Sequence, residues 1–128
     1  MRKLSNHRLF QGPPWWVFFL RHYRVLIGLW LALVLIACVM PVSSEQPPTL
    51  PHIDKIVHAL FYAPPMALAL LAGGNVWRWV ILLIVFALGI ELIQSMLSYR
   101  SGDIFDMLAN IVGMLLGFIV AKFFRMRP

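Results

Sequence analysis

The chain has 128 residues, of which 61% are hydrophobic and only 12% are charged. About a quarter of the residues of a soluble domain are usually charged, and about half are apolar. Basic residues outnumber acidic ones by 11 to 5, for a formal net charge of +6. They flank apolar segments rather than forming a stripe on a soluble face, so the composition indicates a membrane protein and argues against nucleic-acid binding.

Four apolar stretches of near-membrane length explain this composition. They cover residues 23–42, 56–72, 80–97 and 104–124. Little chain remains outside them, so the sequence predicts an all-α membrane protein, a compact bundle of four transmembrane helices. We divide it into a basic and aromatic N-terminal segment (1–24), a four-helix transmembrane domain (25–124) and a basic tail (125–128).

The N-terminal segment places aromatic residues beside basic ones. Pro13 and Pro14 precede a run rich in tryptophan and phenylalanine that ends at Arg21. Such side chains are typical of the headgroup level of a membrane. The segment therefore predicts a short interfacial helix that leads into the first span.

Cys38 is the single cysteine and cannot form an internal disulfide. Residues 35–38 resemble the lipobox of bacterial lipoproteins, in which the cysteine is lipidated after signal-peptide cleavage. The basic lead-in is long and the apolar run ends late for a signal peptide, so we expect a retained first helix.

The distribution of basic residues predicts the orientation, because cytoplasmic loops are enriched in Lys and Arg. Nine of the 11 basic residues fall in the N-terminal segment, the loop between the second and third spans, and the tail. The other two, Lys55 and Arg100, lie on the opposite side. With four spans, both termini are therefore expected in the cytoplasm.

All five carboxylates fall on the predicted outer side, and helical spacing gathers four of them onto three helix faces with other polar residues. Glu91 lies six residues below the outer end of its span, roughly 9 Å deep. A charge at that depth must face protein or water. The fifth carboxylate, Glu45, does not belong to these helix faces. The candidate polar site comprises Asp54, Lys55, His58, Glu91, Gln94, Arg100, Asp103, Asp106 and Asn110.

Several chemistries could use this site, and none has a specific motif. A histidine with carboxylates could bind a divalent metal or do acid–base work on a lipid headgroup. Lys55 and Arg100 could hold a phosphate or a carboxylate. The residues could equally form an ion-pair network that locks three helices together, with Asp103 as a helix N-cap. We favour a non-enzymatic site with no metal and no cofactor.

Two backbone features bear on packing. Gly113 and Gly117 form a GxxxG pattern, which predicts close helix packing within the chain rather than homodimerisation. Pro64 and Pro65 interrupt the second span near its middle and predict a kink, because the carbonyls of residues 60 and 61 lose their usual donors.

Three blocks of the sequence resemble the VanZ-like family of small bacterial membrane proteins. The blocks cover residues 54–58, 91–94 and 100–110, and the last continues to Gly113 and Gly117. They come in the family's order, and the resemblance covers about residues 25–122. The family's pattern matches at all nine residues of the candidate polar site and at Gly113, whereas Pro64-Pro65 departs from it.

The resemblance implies a multi-pass protein of the bacterial cytoplasmic (inner) membrane. With the outer polar residues, it leads us to expect a site for an envelope component, such as a lipid-linked cell-wall precursor or a lipid headgroup, with membrane lipids as partners. The founding member is linked to low-level resistance to the glycopeptide teicoplanin. The alternatives are a small membrane enzyme acting on a lipid headgroup and an accessory subunit whose polar cluster is purely structural.

Overall fold

The computed structural model describes residues 12–41, 52–99 and 103–126. These ranges contain five α-helices and no strand. In chain order the helices are α1 (Pro14–Arg21), α2 (Tyr23–Val39), α3 (Ile53–Leu71), α4 (Val76–Met96) and α5 (Ile104–Met126). The predicted all-helical architecture is confirmed, and each of the four apolar stretches corresponds to one of the helices α2 to α5.

The short N-terminal helix lies where the sequence predicts one. Pro14 is its first residue, a position at which the missing N–H would have no partner in the helix. The chain bends by 73° between α1 and α2. Leu20 packs into the core, whereas Trp15 and Phe18 are exposed. The position of α1 at a membrane surface stays a prediction.

The pair α3 and α5 forms the centre of the bundle. The two helices run parallel, because the contacts between them keep the same order along both. Lys55 near the start of α3 contacts Asp103 just before α5. At the other end, the guanidinium of Arg125 donates to the carbonyl of Leu70.

Two glycines of α5 allow this close approach. A Cβ added to Gly113 would collide with the backbone of Ala59, and one added to Gly117 would collide with the carbonyl of Ala63. Small residues at such spacing let helix backbones approach closely. In the structure, the two glycines of the GxxxG pattern therefore form a packing contact within the chain, between α5 and α3.

Helices α2 and α4 are joined near their C-terminal ends. Cys38 and Ile90 pack together in a small buried cluster. The side-chain amide of Gln94 donates to the carbonyl of Cys38 at 3.0 Å, and the hydroxyl of Tyr99 donates to that of Val39 at 2.7 Å. Because α4 connects to α5 through a few residues, α2 and α4 end where α3 and α5 begin. We call this end of the bundle the polar end.

The proline pair does not end α3, which continues as one helix through Pro64 and Pro65. Proline has no N–H, so the carbonyl of Phe61 loses the donor that residue 65 would normally supply. The indole Nε1 of Trp30 on α2 donates to that carbonyl at 2.8 Å. A side chain of the neighbouring helix thus replaces one of the two missing backbone donors.

The bundle carries most of its large apolar side chains outside, whereas His58, Gln94 and Asn110 are buried. Helices α4 and α5 are long and apolar enough to cross a membrane, and α1 with α2 would form a third span if the bent pair counts as one. Helix α3 is less apolar because it begins with Asp54 and Lys55, contains His58 and has two prolines. By length and composition, the described residues contain two or three spans, and not clearly the four that the sequence predicts.

Candidate functional site

Lys55 contacts three carboxylates at the polar end. Its Nζ lies 3.1 Å from Oδ2 of Asp54 and 3.1 Å from Oδ2 of Asp103. Oδ1 of Asp106 is 3.5 Å away. Asp103 lies just before α5 and Asp106 in its first turn, so the ammonium group ties α3 to α5. It donates hydrogen bonds to Asp54 and Asp103, whereas Asp106 lies slightly farther away as an ion-pair partner.

His58 is buried one turn farther along α3, and both of its ring nitrogens face α5. Nδ1 donates to Oδ1 of Asn110 at 3.1 Å in this orientation of the amide, because an amide oxygen only accepts. Nε2 lies 3.6 Å from Oδ2 of Asp106. The imidazole is therefore held on both sides by side chains of one neighbouring helix.

Three buried oxygen atoms in or beside this network have no hydrogen-bond partner in the part of the chain that the structure describes. They are Oδ1 of Asp106 on α5, Oε1 of Glu91 on α4 and the hydroxyl of Tyr62 on α3. The Glu91 carboxyl interacts electrostatically with Asp106 and His58, so it belongs to the same cluster. A buried polar group without a partner costs about 1–3 kcal/mol. A ligand or water that donates to Glu91 would recover part of that cost.

Asp103 has two structural partners. Its Oδ1 accepts a hydrogen bond from the backbone N–H of Phe105 at 2.9 Å, as a helix N-cap does. Its Oδ2 accepts from Lys55. The Phe105 amide, and then the Lys55 ammonium, hold the pKa of this carboxyl below its usual value. Asp103 is thus ionised and engaged on both oxygens.

The predicted site residues divide into three groups. Gln94 faces away from the cluster and donates to the carbonyl of Cys38, so in this structure it ties α4 to α2. Arg100 lies outside the described residues. The other seven come together at the polar end: Asp54, Lys55, His58, Glu91, Asp103, Asp106 and Asn110.

Sequence reasoning missed Tyr62, which is only 1% exposed. Its electrostatic neighbours include Glu91 and Cys38, so it lies beside the cluster on the side toward the middle of the bundle. A signal was available, because Tyr62 follows His58 by four residues and therefore shares its helix face. Tyrosine in an apolar helix is usually taken as an ordinary core residue.

The cluster is rich in hydrogen-bond acceptors. Within the described ranges, no group of three or more His, Cys, Asp or Glu side chains is arranged to hold a metal ion. Among the described residues, three carboxylates contact the one lysine and Glu91 lies beside them, so acceptor oxygens outnumber donor groups. Such a site is suited to amino or hydroxyl groups, which donate hydrogen bonds, more than to anions.

Comparison with known proteins identifies the family. The family model described as VanZ/LLP1 matches residues 22–125, a range that contains the whole polar cluster and the GxxxG pattern. No curated protein and no solved structure matches the chain. The family match covers most of the sequence and agrees with the resemblance of its three polar blocks, so the chain belongs to the VanZ/LLP1 family.

Proposed function

We propose that this VanZ-like protein crosses the bacterial cytoplasmic (inner) membrane four times, through α2, α3, α4 and α5, with both termini in the cytoplasm. Helix direction supports this topology, since α2 and α4 end where α3 and α5 begin. The basic residues support it too, because nine of 11 belong to segments at the opposite end. Helix α3 directs Lys55 and His58 toward α5, so these polar groups need not contact lipid.

Cysteine labelling tests this topology. In a Cys38→Ala background, Ser98→Cys at the polar end should react with a membrane-impermeant maleimide in right-side-out vesicles. Trp77→Cys, exposed at the start of α4, should react only in inside-out vesicles. Labelling of both positions from the same side would contradict the topology, since α4 must then begin and end on one side of the membrane.

We infer that the polar cluster binds the headgroup of an envelope lipid or of a lipid-linked cell-wall precursor, through amino or hydroxyl groups of that headgroup. The observation that carries this inference is Oε1 of Glu91, a buried carboxylate oxygen that receives no hydrogen bond from the described residues. A donor group on the ligand would supply the hydrogen bond that this atom lacks and so recover the cost of leaving it unpaired.

The charge balance favours a donor-bearing ligand over a phosphate. An anion at the polar end would approach four carboxylates, and Lys55 already contacts three of them. Like charges within a few ångströms repel, and less water between them makes the repulsion stronger. Lys55 is therefore less suited to hold a phosphate than the sequence suggested for Lys55 together with Arg100, which lies outside the described residues.

Glu91→Gln tests the binding function. The substitution keeps the shape of the side chain but removes its charge, so the protein should still accumulate in the membrane. A strain that carries it should show the lipid and envelope-precursor profile of a deletion strain. Ser95→Ala is the matched control on α4, since this exposed hydroxyl only bonds its own helix at Leu92. It should leave the profile as in wild type.

Three outcomes bear on this proposal and on the accessory-subunit alternative. A wild-type profile with Glu91→Gln would contradict the binding site. Loss of the Glu91→Gln protein from the membrane, with Ser95→Ala retained, would favour the accessory subunit with a structural cluster. A change in teicoplanin susceptibility that follows the lipid profile in these strains would extend the proposal to glycopeptide resistance.

The pairing of His58 with Asp106 is the observation that favours the enzymatic alternative, action on a lipid headgroup. A general base must come within hydrogen-bonding distance of the proton that it removes. In the structure, Nδ1 of His58 is bonded to Asn110 and Nε2 faces Asp106. Neither nitrogen is directed to a substrate, and we therefore place the enzyme second to the binding protein.

A further inference from the structure

A pocket lined by polar and aromatic residues lies at the end of the bundle opposite the polar end. It is formed where α2 and α4 begin and α3 ends, and its volume is about 760 Å³. Arg24, Arg78, Tyr23 and Trp79 are among the residues that line it. None of these four belongs to the candidate polar site or to the three sequence blocks that resemble the family.

The two arginines have no carboxylate partner among the described residues. The described carboxylates, Asp54, Glu91, Asp103 and Asp106, all lie at the polar end, at the other side of the bundle. The guanidinium groups of Arg24 and Arg78 therefore place beside the pocket a positive charge that no described carboxylate compensates. A planar guanidinium binds phosphate through paired hydrogen bonds, which makes arginine well suited to phosphate recognition.

Aromatic rings and a glycine turn shape the pocket. The rings of Tyr23 and Trp79 lie 6.0 Å apart, and Nε of Arg24 donates to the Tyr23 hydroxyl at 3.1 Å. Gly73 has a φ of 88°, which favours glycine. A Cβ on Gly74 would meet the indole of Trp79 at 2.6 Å, so a side chain there would occupy the place of this ring.

We propose that this pocket binds the phosphate group of an anionic membrane phospholipid. Tyrosine, tryptophan and arginine together are characteristic of the headgroup level of a membrane. Basic pockets between membrane helices on the cytoplasmic side bind the headgroups of anionic lipids. Helix α4 also begins here, and the positive end of its dipole adds to the attraction for a phosphate. The proposal does not depend on the ligand at the polar end.

The test measures the dissociation constant for phosphatidylglycerol by native mass spectrometry, with the purified full chain in micelles of an uncharged detergent. At about 1 kcal/mol per basic residue, each arginine strengthens binding roughly fivefold. The double variant Arg24→Gln/Arg78→Gln should therefore bind about 25-fold more weakly. The charge-matched control is Arg21→Gln/Lys122→Gln, which removes two basic residues outside the pocket and should change binding less than twofold.

A second pair of variants leaves the charge unchanged. Leu82 lines the pocket, and Leu82→Trp should fill it and weaken phosphatidylglycerol binding at least tenfold. Leu88→Trp, an equally exposed position elsewhere on α4, should not. Equal weakening in the arginine pair and its control, or full binding by a folded Leu82→Trp protein, would overturn the proposal.

Inorganic phosphate distinguishes a lipid site from a site for the free anion. Added at the same concentration as phosphatidylglycerol, inorganic phosphate should leave the bound lipid in place, because the acyl chains hold the headgroup at the membrane surface. Displacement of the lipid by inorganic phosphate would overturn the assignment to a phospholipid.

Discussion

Replacement of Gly113 by alanine should push α3 and α5 apart and strongly destabilise the protein. The new methyl group would meet the carbonyl oxygen, carbonyl carbon and Cα of Ala59, which are backbone atoms and cannot rotate away. Overpacking of a tight contact costs about 1–3 kcal/mol, and occasionally more. We expect a lower thermal unfolding temperature in detergent and less protein in the membrane.

Gly89→Ala is the matched control for this prediction. Gly89 is also a helical glycine, but an added Cβ would have no neighbour within 4 Å. The same substitution should therefore stabilise α4 slightly, by about 0.5–1 kcal/mol, since glycine is a poor residue in a helix interior. The two alanine variants should change the unfolding temperature in opposite directions. An unfolding temperature for Gly113→Ala at or above that of wild type would show that α3 and α5 do not need this contact.

Lys55→Met should be the most damaging substitution of a charged residue at the polar end. Methionine keeps most of the apolar stem, but three carboxylates that contact the ammonium would then face one another: Asp54, Asp103 and Asp106. Loss of one partner from a network of charges leaves the others uncompensated. We expect a clear fall in the unfolding temperature at neutral pH, measured in detergent.

The pH dependence distinguishes this effect from a packing defect. The pKa of Asp103 is lowered by the Phe105 amide and by Lys55, so the stability it provides is present above its usual pKa of about 4. That stability is lost as the pH falls through the lowered pKa. The difference between wild type and Lys55→Met should therefore be largest near pH 7 and shrink below about pH 4.

Lys122→Met is the control for the lysine substitution. Lys122 lies near the C-terminal end of α5, where the structure describes no carboxylate beside it. Its loss should hardly change the unfolding temperature at any pH. An equal fall for both lysine variants, or a deficit for Lys55→Met that stays constant from neutral to acid pH, would contradict an electrostatic role for Lys55.

Most of the fold follows from local properties of the sequence. The hydropathy of the chain predicts α2 to α5, and the aromatic and basic residues before Arg21 predict α1. The number of spans does not follow from hydropathy alone. Asp54, Lys55 and His58 lower the mean hydropathy of α3 below that of a typical membrane span. These charges are compatible with a membrane only if they have partners, and the partners lie on α5.

In the candidate site, helical spacing predicts which residues share a face but not which neighbouring helix each side chain contacts. Helical spacing correctly places Asp106 and Asn110 on one face, and both contact His58. The spacing of Glu91 and Gln94 suggests one shared face as well, yet Gln94 bonds to the carbonyl of Cys38. A long side chain at the edge of a face can reach either neighbouring helix, and spacing does not distinguish between them.

The proline pair is a further case in which the partner comes from elsewhere in the chain. The sequence shows that the carbonyl of Phe61 has lost its helical donor, and from this alone a kink is expected. The structure supplies the indole of Trp30, which is 31 residues away in the sequence. No local pattern around Trp30 identifies it as that donor, because tryptophan is common in membrane helices for other reasons.

By itself, the sequence determined the helices, the placement of the carboxylates at one end and the polar faces, since hydropathy and three- or four-residue spacing depend only on neighbours along the chain. The tertiary structure alone decided that Lys55 is shared by three carboxylates, that Tyr62 joins the cluster and that Oε1 of Glu91 lacks a donor. These facts depend on how α3, α4 and α5 are rotated and shifted against one another. Contacts between residues far apart in the chain, above all the two glycines of α5 on the backbone of α3, establish that arrangement.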